Sequence, residues 1–124
     1  MAGYRIFRRD ELEFARPQGG DQERGIVRLS EALEAMRANV WRMPPGARGR
    51  RHRELVQEEL FVALEGTVTL LLGDPAETVE LPPGSLAVVE PETALQLANE
   101  GDEEAVVLIV GAPPVEGQAE YLPD

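Results

Sequence analysis

From residue 50 onward, apolar positions come in short runs, broken at nearly regular intervals by Gly, Pro, Asn and Asp. Seven runs have the length of strands: residues 50–55, 59–65, 67–72, 78–81, 85–89, 94–99 and 104–110. Between them stand Glu65-Gly66, Gly73-Asp74-Pro75, Pro82-Pro83-Gly84, Glu90-Pro91-Glu92 and the polar stretch 99–102, all turn signals. Short strands about ten residues apart, with Gly and Pro between them, predict a sandwich or barrel without helix. Upstream, residues 36–43 read as a further strand. Its alternation sets Ala38, Val40 and Arg42 on one side and Asn39, Trp41 and Met43 on the other.

The remaining segments are read less from periodicity than from composition. Residues 3–14 open with Tyr4, Ile6 and Phe7 and predict a short edge strand before a charged turn; residues 15–25 are Pro- and Gly-rich loop. Residues 26–29 predict a strand, after which Ser30 offers its hydroxyl to the free amides of a short helical turn. The chain thus divides into an N-terminal segment, 1–35, a barrel, 36–112, and a Pro-rich acidic tail, 113–124, expected to lie extended over the surface.

Several strands are apolar on both faces. Phe61 and Ala63 share the side of Glu59, while Leu60, Val62 and Leu64 take the other, and residues 106–110 have no polar position. One side faces the interior. The other needs a second sheet, the N-terminal segment or a partner subunit, so a homodimer is expected.

Composition narrows the function classes. A chain of 124 residues forms one domain. Its longest apolar run, residues 105–110, is far short of the roughly 18 residues that span a bilayer, so no membrane association is expected. The segment after Met1 lacks the apolar stretch of a secretory signal, which points to the cytoplasm. With no cysteine, metal ligands must come from His and carboxylates. A net charge of −11 argues against general nucleic-acid binding. The charge is also segregated: all twelve basic residues are arginines between Arg5 and Arg53, leaving residues 1–53 at +5 and residues 54–124 at −16. Opposite signs in two parts of a small domain predict that one docks on the other, within the chain or across a dimer.

Candidate chemistry concentrates in residues 46–66, which hold the only histidine. On an extended strand Arg50, His52 and Glu54 share a face. If Glu59 points into the same space, one imidazole and two carboxylates converge, a donor set that suits Mn, Fe or Zn with positions open to water or substrate. Without metal, two buried carboxylates repel, and Arg50 is placed to act as their cation, with His52 then only a rim residue. The arginines at 48, 50, 51 and 53 invite a third reading, a basic rim that draws in a carboxylate or phosphate ester.

The spacing resembles that of small single-domain cupins. Their first motif is Gly, five residues, His-x-His, three or four residues, Glu, six residues, Gly; here Gly46, His52, Glu54, Glu59 and Gly66 keep every interval, with Glu54 in the place of the second His. A second motif is laid from Gly84 to Asn99, with Glu90 for Pro, Glu92 for Gly and Leu95 for His. The resemblance implies an all-β jelly-roll barrel, dimeric, with a site inside its mouth and the N-terminal segment packed on the barrel or on a dimer partner. It implies metal ligands at His52, Glu54 and Glu59. Leu95 cannot bind metal, whereas a one-residue shift at Pro91 would bring Gln96 inward as a fourth ligand. Arg50, Trp41, Phe61 and Leu95 are the expected ligand-binding residues. Three functions fit: a small-molecule-binding cupin with a degenerate or absent metal site; a divalent-metal oxygenase or isomerase acting on a small organic acid; and a structural dimer with a filled barrel.

Overall fold

A computed structural model describes residues 3–124. Ten strands form in chain order: β1 (Gly25–Arg28), β2 (Arg37–Met43), β3 (His52–Glu54), β4 (Glu58–Glu65), β5 (Val68–Leu72), β6 (Glu77–Leu81), β7 (Leu86–Val89), β8 (Leu95–Ala98), β9 (Ala105–Ala112) and β10 (Ala119–Tyr121). They make two five-stranded antiparallel sheets, ordered β1-β2-β9-β4-β7 and β10-β3-β8-β5-β6. The eight strands read from the sequence between residues 36 and 112 are all present, displaced by at most one residue at any end except at the start of β3 and the end of β9, where the displacement is two. This is the expected jelly roll.

Alternation along each strand decides which end of the barrel is filled. On the inner faces Met43, Phe61, Ala63, Ala105 and Val107 of the first sheet meet Val68, Leu70, Leu81 and Leu97 of the second, and all are buried. Fully burying a side chain of the Leu or Phe class contributes about 1.5–3 kcal/mol, so this apolar plug fixes the sandwich. Toward the other end, the inner row changes character. Arg37, Gly111 and Glu59 stand side by side across β2, β9 and β4, and His52 pairs with Leu95 across β3 and β8. The barrel is therefore closed below and polar above.

One glycine of the first motif has a steric duty. Gly66 has φ +64, and a Cβ there would collide with the Glu104 carbonyl oxygen. Only glycine adopts this conformation at such close approach without strain. Asn99, the last residue of the second motif, is also structural: its amide donates to the carbonyls of Met43 (2.8 Å) and Glu103 (2.7 Å) while its oxygen accepts from the Gly101 amide (2.9 Å).

The flanking segments differ from expectation. Residues 4–7 form no strand. Tyr4 and Ile6 are largely exposed, and the segment is held by a 3-10 turn, Arg9–Glu11, and the Arg9–Glu65 ion pair at 2.5 Å. The helical turn is a 3-10 turn, Leu29–Ala32, that Ser30 does not cap; its hydroxyl instead accepts from the Ala38 amide at 3.0 Å, because β2 returns beside it. The tail is not merely draped over the surface. Residues Ala119–Tyr121 add β10 to the edge of β3, with Ala119 opposite Glu54 and Tyr121 opposite His52.

The segregated charges do meet within the chain. Among the described residues, five of the six arginine–carboxylate pairs join an arginine before residue 54 to an acid after residue 64: Arg9–Glu65, Arg42–Glu104, Arg48–Glu100, Arg51–Asp74 and Arg53–Glu120. These pairs are largely solvent-exposed, so each adds little stability. Their consequence is to occupy five of the twelve arginines.

Candidate metal and ligand site

The open end of the barrel is a cavity of about 690 Å³, lined from both sheets. The third expectation, a filled barrel, is therefore not met: the apolar plug stops at Phe61, Leu95 and Leu97, and above it polar and charged residues share the lining with Ile26, Trp41 and Ile109.

His52 and Glu54 project from β3 into this cavity, two residues apart on the same face, and Glu59 enters from the start of β4 in the opposite sheet. One donor atom from each lies within 4.8 Å of the others. The His52 ring is held at both nitrogens, with Nδ1 3.0 Å from the Arg50 carbonyl and Nε2 2.8 Å from Glu54 Oε2. The other Glu54 oxygen accepts from the Gln118 side-chain amide, and Gln118 Oε1 accepts from the Val56 (2.8 Å) and Gln57 (3.3 Å) amides. The tail thus orients the second carboxylate, a part of the site that sequence reasoning missed.

Glu59 is different. Its Oε1 is buried, with no hydrogen-bond partner. Burial, reinforced by the Glu54 charge and opposed by His52 and Arg37, raises its pKa from the usual value near 4.5 to about 7. At Glu54 burial is outweighed by the hydrogen bond and charge of His52, then by Gln118 and Arg37, so its carboxyl is held below the ordinary range. Burial is likewise outweighed at His52, where hydrogen bonds to Glu54 and the Arg50 carbonyl raise its pKa. A buried carboxylate oxygen without a donor is unfavourable by several kcal/mol unless it takes a proton or a cation. A divalent ion held by His52, Glu54 and Glu59 satisfies that oxygen, so the donor set fits the metal that the motif implies. Gly111, beside Glu59, leaves room for this arrangement: a Cβ there would stand 2.8 Å from Gln57 Oε1 and 3.5 Å from Glu59 Cγ.

The other expected residues divide. Phe61 and Leu95 form the cavity floor, and Trp41 forms wall, with the Arg24 guanidinium 4.5 Å from its ring centroid. Gln96 is corrected. It points away from the cavity and donates to the Gly49 carbonyl at 3.0 Å. The register slip that would bring it inward does not occur, because Glu92 adopts φ 69 at the place of the motif glycine and absorbs the turn. Arg50 lines the mouth, but its guanidinium lies 3.5 Å from the Tyr121 ring centroid and forms no ion pair with Glu54 or Glu59 among the described residues. His52, not Arg50, is the partner of Glu54.

The basic rim also changes members. Arg48, Arg51 and Arg53 are engaged by Glu100, Asp74 and Glu120. The cavity is instead lined by Arg24, Arg28, Arg37 and Arg50, against only two acids, Glu54 and Glu59. Arg24, Arg28 and Arg37 lie far from the motif in sequence. The only signal available was the inward alternation of β1 and β2, which sets Arg28 and Arg37 on the face of Trp41.

A cupin domain model matches residues 39–111, more than half of the chain, and the chain belongs to the cupin family. Among proteins of curated function, none matches it. The chain is similar to a sugar phosphate isomerase of the cupin superfamily from Silicibacter pomeroyi, with 26% identity, a TM-score of 0.71, and coverage of 88% of this chain and 76% of that one. It also resembles the polyketide cyclase RemF from Streptomyces resistomycificus (17% identity, TM-score 0.79, 98% and 87% covered). A third similar structure, named a predicted oxalate decarboxylase, from Thermotoga maritima has 18% identity, a TM-score of 0.74 and coverage of 86% and 97%. The last two show the fold alone. No helix among the described residues is long and apolar enough to cross a membrane.

Proposed function

We propose that this cupin binds a small molecule in its barrel mouth, over a centre in which His52, Glu54 and Glu59 hold one divalent first-row metal, Mn, Fe or Zn. The observation that carries the reading is the buried, partnerless Glu59 oxygen, brought within 4.8 Å of donors on His52 and Glu54. A cation there offsets the repulsion of two neighbouring carboxylates and supplies Lewis acidity toward a ligand oxygen. The chain's own residues orient the set: the Arg50 carbonyl fixes the His52 ring, and Gln118 fixes Glu54. The test is elemental analysis of untagged protein after incubation with manganese, iron or zinc and removal of free ion. About one metal per chain is expected, lost in His52→Ala and Glu59→Ala. Wild-type protein that retains none refutes the metal reading.

A second reading, catalysis, is favoured by one observation. A carboxyl with a pKa raised to about 7 is suited to take and return a proton near neutrality. That is the chemistry of an isomerase, and one of the similar structures is named a sugar phosphate isomerase. Exchange of a carbon-bound proton of a sugar phosphate in deuterated water, present in wild type and abolished in Glu59→Gln, would establish it; no exchange with a panel of such compounds sinks it.

The protein acts as a homodimer in the cytoplasm on this reading. Support for the dimer is the outer face of β4 and β7, where Leu60, Leu64, Leu86 and Val88 stand exposed together.

A further inference from the structure

We propose that Arg28 and Arg37 are the second pole of the cavity, so that its ligand is a small dianion: one anionic group, a carboxylate or phosphate, lies on these two guanidinium groups and the other reaches toward the His52 centre. The inference deepens the reading of the mouth as a ligand site and rests on it.

Three observations carry it. The first is placement. Register sets Arg28 opposite Asn39 across β1 and β2, and Arg37 lies two residues from Asn39 on the same face, so Arg28, Asn39 and Arg37 are neighbours on one wall of the cavity. The second is that these two arginines have no acid. Every other arginine lining the cavity is otherwise engaged: Arg24 donates to the carbonyls of Gly19 and Asp21, and Arg50 lies over Tyr121. Among the described residues, Arg28 and Arg37 form no salt bridge and donate no side-chain hydrogen bond, in a chain with 23 acids and 12 arginines. Two adjacent guanidinium groups repel, and a forked anion that accepts from both converts that repulsion into paired hydrogen bonds. The third is the distance to the metal-ligand set. Arg37, Gly111 and Glu59 occupy one row of three adjacent strands, which sets the Arg37 and Glu59 backbones about 10 Å apart. Gly111 puts no side chain between them. The charge of Arg37 is felt at both Glu54 and Glu59, as expected across such an opening.

The experiment is isothermal titration of manganese-loaded protein with succinate, 2-phosphoglycolate and acetate, on wild type, Arg28→Gln, Arg37→Gln and the double variant, with the metal content of each sample measured. Both arginines sit at the mouth rather than in the apolar plug, and Arg28→Lys and Arg37→Lys keep the charge but lose the fork if the glutamine variants fold poorly. Succinate or 2-phosphoglycolate is expected to bind at least tenfold more tightly than acetate, with the better of the two identifying the head group. Each glutamine variant is expected to weaken that binding by roughly 10- to 100-fold, with metal content unchanged. Dianions that bind no better than acetate, or equally well to the double variant and wild type, overturn the proposal. A wild-type protein without metal counts against the metal reading instead, and the arginine comparison is then made on that same protein.

Discussion

Replacing Glu59 with Gln in chelator-treated protein is expected to raise stability at pH 8 and leave it nearly unchanged at pH 5. The cause is proton linkage. Burial, with the Glu54 charge beside it, raises the Glu59 pKa from about 4.5 to about 7. Between those two values the folded state binds more proton than the unfolded state, so stability falls as pH rises, and the loss is complete once both states are ionised. A shift of this size corresponds to about 3 kcal/mol, and coupling to His52 and Glu54 reduces what a single substitution recovers to about 1–3 kcal/mol. Gln has the same shape without the charge. For a chain of this length the gain at pH 8 is roughly 4–12 °C in Tm. The assay is thermal unfolding of both proteins in EDTA from pH 5 to pH 9. With manganese present the order reverses, because the metal needs the carboxylate and stabilises only the wild type. If Glu59→Gln is no more stable than wild type at pH 8 in EDTA, or differs by the same amount at every pH, the carboxyl is not held in the environment described.

The two members of the His52–Glu54 pair carry opposite dependences, His52 the same as Glu59 and Glu54 the reverse. A raised His52 contributes stability that is full below about pH 6.5 and is lost as pH rises through its folded value, and a lowered Glu54 contributes stability present above about pH 4.5 that is lost as pH falls through its folded value. In EDTA, denaturant titration of His52→Gln is therefore expected to show a larger loss relative to wild type at pH 5.5 than at pH 9. Glu92→Gly relieves a left-handed conformation, φ 69, which is unfavourable by about 1–2 kcal/mol for a residue with a Cβ. After the entropy lost by glycine, a gain of about 0.5–1 kcal/mol in urea unfolding is expected; a loss would mean that the Glu92 side chain holds the turn. Leu86→Glu combined with Val88→Glu places two charges on side chains that are 62% and 75% exposed in the single chain. Light scattering is expected to show a dimer for wild type and a monomer of unchanged Tm for the variant, whereas a variant that remains a dimer places the interface elsewhere.

What could be read from the sequence was local. The intervals of the first motif set His52 and Glu54 on one face of a strand and Glu59 at the start of the next, and strand alternation carried all three into one space. Leu95 was legible for the same reason, since the second motif kept its spacing. The competing assignment to Gln96 depended on how the chain turns at Pro91, and a residue in the left-handed region at Glu92 resolves that turn without a slip. Composition could not reveal this. Pairings between distant segments were also hidden. Residues 113–124 read as an extended acidic tail because Pro, Gly and acids recur in them, yet residues 119–121 pair with β3 and bring Gln118 and Tyr121 to the site. Arg28 and Arg37 belong to no motif, and their importance appears only when the acids that occupy the neighbouring arginines are known. The expected role of Arg50 failed on the same kind of fact, because Tyr121, 71 positions away, takes its guanidinium.

The most direct measurement is anomalous diffraction from crystals soaked in manganese, collected on wild type and His52→Ala. A single strong peak within bonding distance of His52 Nε2, Glu54 and Glu59, absent in the variant, is the expected result. A wild-type map without that peak, in which Nε2 keeps its direct hydrogen bond to Glu54, would contradict the central claim that these three residues form a metal centre.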